Sequence, residues 1–327
     1  MRIQDHAKVL SGGKQLVSTG SFSKYGIYIA FLIIFIVLAV THDAFLTATN
    51  LLNIMKQASI TSVVAIGTTF VLISGGLDLS SGSVAAFAGV SSAFLGLPGG
   101  YPVIYAVIAA LCIGAVCGLV NGFIVAKGGV HPFITTLGMM ISVRGMALIV
   151  TNAKPVFGLS EQYTFLGSGM IFGVPVLVIA MFAVLVIACI VLDKTRFGRH
   201  IYALGGNESA AFVSGIHVVR IKMAVYTIAG AFSGIAGMLL AGRIKSGTPV
   251  MAEGLELDAI AAAVIGGVST TGGIGKVYGA VIGALLLAMV SNGLDLLNVS
   301  PYLQQLIKGA IIILAVFFDI RTKAGRK

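Results

Sequence analysis

Residues 72–83 read LISGGLDLSSGS and set a carboxylate, Asp78, beside Ser80 and Ser83 at the close of an apolar stretch that begins near Ile60. An ion at the middle of a membrane helix costs about 2.5–3.5 kcal/mol, so Asp78 needs a wet or protein-lined setting. A carboxylate at the entry to a helix is also favoured by the helix dipole and can cap free amides. Asp258, in GLELDAIAAAVIGG, repeats the situation. Two readings stand: the two aspartates are symmetry-related caps of broken helices, or they gate or touch a passing solute. Glycines 75, 76, 82, 266 and 267 let the backbone break there. Arg144 and Lys308 lie inside apolar runs, where each either snorkels to the interface or pairs with Asp258 or Glu256. Asn121, Thr135, Thr136 and Gln304 suit a path for an uncharged polar solute, and ordinary interhelical hydrogen bonding explains them equally well. His131, before Pro132, reads as interfacial. No H-E-x-x-H or comparable metal grouping accompanies these residues.

The elements that carry them are membrane helices. The 327 residues are 57% hydrophobic and 10% charged, against about a quarter charged in a soluble domain. Ten apolar runs lie at 25–41, 58–75, 80–97, 102–126, 132–151, 171–192, 223–242, 257–269, 277–296 and 303–319. This is an all-α integral membrane protein of about ten spans, with no room for a large soluble domain. The eighth run is too short to cross alone and must be tilted, enclosed, or continued by irregular backbone lining a cavity.

A formal charge of +10 does not indicate nucleic acid, because the basic residues gather at the ends of apolar runs and not on one face. Lys and Arg concentrate on one set of loops, which places both termini in the cytoplasm. Residues 1–24 form a cytoplasmic arm, 25–320 one membrane domain and 321–327 a basic tail. Cys112, Cys117 and Cys189 sit in apolar runs without ligand spacing and read as packing residues. LSGGKQ at 10–15 looks like an ATPase signature loop, but no G-x-x-x-x-G-K-[ST] loop accompanies it, and GGIGKV at 272–277 lacks the hydroxyl.

The chain repeats itself. GAVCG at 114–118 returns as GAVIG at 279–283, PFITTL at 132–137 as PYLQQL at 301–306, and LDLSSGSVAAFAG as ELDAIAAAVIGG. The two halves, about 58–151 and 223–319, would run in opposite directions, the arrangement in which a pathway forms between halves that rock. Between them, 193–222 is the longest hydrophilic connection. Gly205 and Gly206 punctuate it, Asn207 can cap a short helix over Glu208–Val213 that includes Ala210 and Ala211, and Ser214-Gly215 turns the chain before Ile216. Such a helix on a loop can lie in a partner's groove.

ISGGLDLSSGS, HPFITTLGMMISVRG, GRHIYALGGNESAAFVSGI and GLELDAIAAAVIGGVSTTGGIGKVYGAVIGA occur in this order over about residues 45–320. Together they resemble the permease subunit of bacterial ATP-binding-cassette importers for monosaccharides, the group with ribose, galactose, xylose and allose systems. Ser81 stands where that motif more often has Val. The resemblance implies an architecture similar to the vitamin B12 importer class. It implies two permease subunits, expected to be identical, around one path in the bacterial inner membrane. It also implies a periplasmic sugar-binding protein and a cytoplasmic ATPase that holds the MgATP and docks on the 205–216 loop. This chain would bind no cofactor and be no enzyme. The competing classes are an ion-coupled secondary transporter, which needs titratable groups at mid-span, and an importer of a furanose-like autoinducer or a nucleoside.

Overall fold

A computed structural model describes residues 19–99 and 101–324; the LSGGKQ stretch, most of the N-terminal arm and the last three residues lie outside them. The chain begins with α1 (Thr19–Thr41), α2 (Ala48–Ile73), α3 (Ser81–Leu95), α4 (Val103–Ala126) and α5 (Pro132–Thr151). There follow α6 (Glu161–Ser168) and a small hairpin of β1 (Met170–Ile171) and β2 (Val174–Pro175). Next come α7 (Val176–Cys189) with a π turn over Ile190–Lys194, α8 (Arg196–Gly206), α9 (Glu208–Val213) and α10 (Val218–Ile244). The chain closes with α11 (Leu255–Ile265), α12 (Val277–Leu296) and α13 (Pro301–Ala324).

All ten apolar runs fall in helices, and among the described residues six helices are long and apolar enough to cross a membrane. Several boundaries differ from expectation by four residues or more, and two have a plain cause. α2 starts at Ala48, ten residues before the apolar run at 58, because Thr47 caps it by accepting from Asn50 N. The sixth run does not begin at 171, since residues 170–175 form the hairpin and the helix starts only after Pro175. α11, at 11 residues, spans about 16 Å, roughly half the hydrocarbon thickness.

The packing is paired. α10 lies against α3 and α4, while α2 lies against α11 and α12; α3 touches α4 and α5, as α11 touches α12 and α13. Each contact of the first set has a counterpart when α2, α3, α4 and α5 are matched to α10, α11, α12 and α13. The long helix of each set is thus wrapped by the short helices of the other.

Glycine makes the closest of these contacts. Gly114 and Gly118 of α4 rest on the backbone of α10 at Gly230 and Tyr226, and Gly230 and Gly234 return the contact. The sister pair Gly279 and Gly283 rests instead on α11, at Gly266 and Ala262. The GxxxG spacing therefore predicts close contact but not its partner. α2 is held to α12 by a reciprocal amide pair, Asn50 Nδ2 to Asn292 Oδ1 at 2.9 Å and Asn292 Nδ2 to Asn50 Oδ1 at 2.7 Å. Since a Cβ on Gly118 would collide with the Tyr226 carbonyl, Gly118→Leu is expected to destabilise the protein by at least about 1–3 kcal/mol, measured as a lower thermal unfolding temperature in detergent.

Candidate transport and coupling site

The 193–222 connection folds into two capped helices. Thr195 caps α8 by accepting from Gly198 N at 3.1 Å, and Asn207 Oδ1 caps α9 by accepting from Ala210 N at 2.9 Å. α9 ends at Ser214, where Gly215 takes φ 83°, its N–H donating to Phe212 O and that of Ile216 to Ala211 O. This pair of hydrogen bonds closes the helix at a glycine, which adopts such a φ without a Cβ penalty. Ser214 Oγ donates to Ala210 O. Ala211 is buried, while Phe212 and Val213 are 70% and 85% exposed and form an apolar tip on the surface. Lys222 of α10 grips Glu208 at 2.7 Å. A largely exposed pair of this kind contributes roughly 0.2–1 kcal/mol, so it orients α9 more than it stabilises the fold.

Gly205 and Gly206 are not a flexible break between elements but the last turn of α8. Gly205 abuts Ile73 O, at the end of α2, and Gly273 N, in the loop after α11, and those two atoms hydrogen-bond to each other at 2.8 Å. A Cβ on Gly272 would stand 2.7 Å from Gly205 O and 3.0 Å from Gly75 Cα. One end of α8 thereby touches both places where the chain leaves a helix and turns.

The break after α2 is buried. Gly75, at φ 82°, ends the helix, with Gly75 N donating to Leu72 O and Gly76 N to Val71 O. Tyr226 of α10 donates its hydroxyl to Leu77 O at 3.1 Å. Asp78 does not cap the amides of the first turn of α3: its Oδ1 accepts from Ser80 N at 2.8 Å and Ser80 Oγ at 2.6 Å, and Ser80 Oγ accepts from Asn121 Nδ2 at 2.9 Å. These two hydrogen bonds offset part of the cost of burying a carboxyl group at this depth. Asp78, Ser80, Ser83, Asn121 and Thr136 are all at most 2% exposed. They lie inside the subunit, not on an open wall.

Asp258 is not a mirror of Asp78. Gly254 precedes α11 without a side-chain cap, and Asp258 in its first turn meets Lys308 of α13 at 3.3 Å. Arg144 neither snorkels nor pairs directly with a carboxylate. Its Nη1 donates to Pro249 O at 2.7 Å and Met251 O at 2.9 Å, fastening the irregular segment ahead of α11. Glu256 stands against Gly82 at the start of α3, its Oε2 buried without a hydrogen-bond partner, as are Ser81 Oγ, Asn121 Oδ1 and Thr135 Oγ1. These unpaired acceptors and hydroxyls lie on α3, α4, α5 and α11. Gln304 and His131 act locally: Gln304 donates to Asp295 and to Val299 O, and His131 caps α5 by accepting from Phe133 N.

A family model described as the permease component of the branched-chain amino acid transport system matches residues 50–316. The chain belongs to this permease family. It is 41% identical to the ribose import permease protein of Bacillus subtilis over 95% of this chain and 97% of that one. It is 43% identical to the ribose import permease protein of Escherichia coli, over 89% and 92%, and 41% identical to the L-arabinose transport system permease protein of that organism, over 93% of each. A comparison with solved structures returned no match.

The permease is a multi-pass membrane protein and not an enzyme; ATP hydrolysis belongs to a separate subunit. Residue types and spacing alone did not pick out Phe212, Val213 or Tyr226. Two bulky apolar residues in a polar loop were a usable signal for the first two; nothing local marks Tyr226. Arg144→Met is expected to leave the Pro249 and Met251 carbonyls without their donor, costing about 1.5–3 kcal/mol, and to speed hydrogen exchange across residues 249–257 selectively.

Proposed function

We propose that this permease moves a monosaccharide inward across the bacterial inner membrane, as one of two identical subunits served by a cytoplasmic ATPase and a periplasmic sugar-binding protein. The printed names of its relatives supply the cargo class, since ribose, arabinose and allose permeases are 37–43% identical over most of the chain. The family model's description names branched-chain amino acids. An amino acid carries both charges and needs counter-charges along its path. Here Arg144 is spent on carbonyls and Lys308 on Asp258, which suits an uncharged passenger.

The single observation that carries the coupling is the position of Gly205. A partner that holds Phe212 and Val213 of α9 and moves α8 pushes on the end of α2 and on the loop after α11 together. ATP binding in that partner would so rock two oppositely oriented halves, with MgATP staying on the ATPase and both termini of the permease in the cytoplasm. The paired packing of α2–α5 and α10–α13 supports two such halves. The second subunit has a surface to meet: Gly138 and Gly145 on α5, and Gly309 on α13, open to empty space beside the exposed Ile134, Ile141 and Leu306. Small residues on such faces permit close approach of a partner helix. Asp78, Ser80, Ser83, Asn121, Thr135, Thr136, Arg144, Glu256 and Asp258 then hold or line the breaks that open.

Liposomes holding the permease, with a sugar-importer ATPase and binding protein, are expected to take up labelled ribose, arabinose or allose only when both partners and ATP are present. Gly205→Val, which drives a side chain into Ile73 O, is expected to cut uptake at least about tenfold, a barrier change of roughly 1.4 kcal/mol, while the ATPase still co-purifies. Uptake by the permease alone on a proton or sodium gradient would overturn the reading in favour of an ion-coupled transporter.

A further inference from the structure

The hairpin between α6 and α7 carries an anomaly. Met170 pairs with Pro175 and Ile171 with Val174, leaving Phe172 and Gly173 as a two-residue turn at φ 50° and 79°. Such a turn asks for Asn, Asp or Gly at its first position, because a bulky side chain at positive φ is strained. The other described non-glycine residues at positive φ are Asn, Ala or Lys. Phe172 is a bulky aromatic and fully exposed, at 102% of its reference area. Its neighbours Met170, Ile171 and Val174 are exposed as well.

We propose that this hairpin is a membrane-surface anchor, with Phe172 seated at the boundary between headgroups and acyl chains. Three observations favour lipid over a protein partner. The hairpin runs without a loop into α7, where two-thirds of the most apolar span is not covered by the protein and Ile179, Phe182 and Val186 face outward. Lipid covers that face, and the hairpin continues it. No charged residue occurs from Gln162 to Leu192, so the patch lacks the charges by which docking partners are steered and selected. An aromatic ring is suited to the interfacial layer, where apolar side chains bury at the acyl boundary beside polar backbone. The anchor fixes the height of α7 in the bilayer, and with it the π turn that leads to α8.

The chain has no tryptophan, so Phe172→Trp introduces a single indole that can be excited apart from the tyrosines. In nanodiscs of phosphatidylcholine its emission is expected to be blue-shifted, quenched by lipid brominated near the glycerol end of the acyl chain, and protected from acrylamide. Phe212→Trp, on the exposed tip of α9, serves as the water-facing reference. Met170→Trp, on the same hairpin without the strained φ, carries the same test if the first variant fails to assemble. Emission like that of the reference, quenched by acrylamide and untouched by brominated lipid, would overturn the proposal. So would a blue shift that appears only on adding the substrate-binding protein, which would assign the hairpin to that partner. Loss of uptake with lipid quenching intact would instead count against the transport reading alone.

Discussion

A chain that breaks its helices within an apolar protein must satisfy the freed backbone groups from inside, because no water is at hand to do it. The permease meets this demand with side chains on distant helices and with the backbone of a distant loop. Tyr226 serves Leu77 O, Arg144 serves Pro249 O and Met251 O, and Gly273 N serves Ile73 O. The Asp78, Ser80 and Asn121 chain braces the same region from α4. Short α3 and α11 persist at sub-spanning length only because these bonds replace the turns they lack. The polar residues of the membrane domain that make these bonds are therefore scaffolding first.

The same breaks are the natural points of motion. A rigid helix moves as a whole, whereas a break held by a few hydrogen bonds can exchange partners at modest cost. α8 touches two such points through one glycine contact. Glu208 and Lys222 tie the short α9 to α10, the helix that also supplies Tyr226. The exposed α9 and the break after α2 thus share one support.

Much of this could be read along the chain. Asn207 as a cap, the helix over Glu208–Val213, the turn at Gly215 and the all-helical character of the apolar runs depend on residues within a turn or two of each other, where spacing dictates structure. What the sequence did not reveal is how distant segments meet. Arg144 bonds to a carbonyl 105 residues away, and no local pattern distinguishes that from snorkelling or an ion pair. Asp78 and Asp258 share a motif but not a partner, since Lys308 has a place beside only one of them. Gly205 reads as punctuation in a loop until the backbone it touches is known.

The amide pair between Asn50 and Asn292 joins residues 242 apart. α2 is the most enclosed of the six long apolar helices, yet it leaves the ribosome before α7, α10, α11 and α12, the helices that cover it. During synthesis α2 must wait in the bilayer with Asn50 lacking its partner amide. The permease therefore completes its centre only after α12 has been inserted, so a chain cut before that helix is not a smaller permease but an uncovered one.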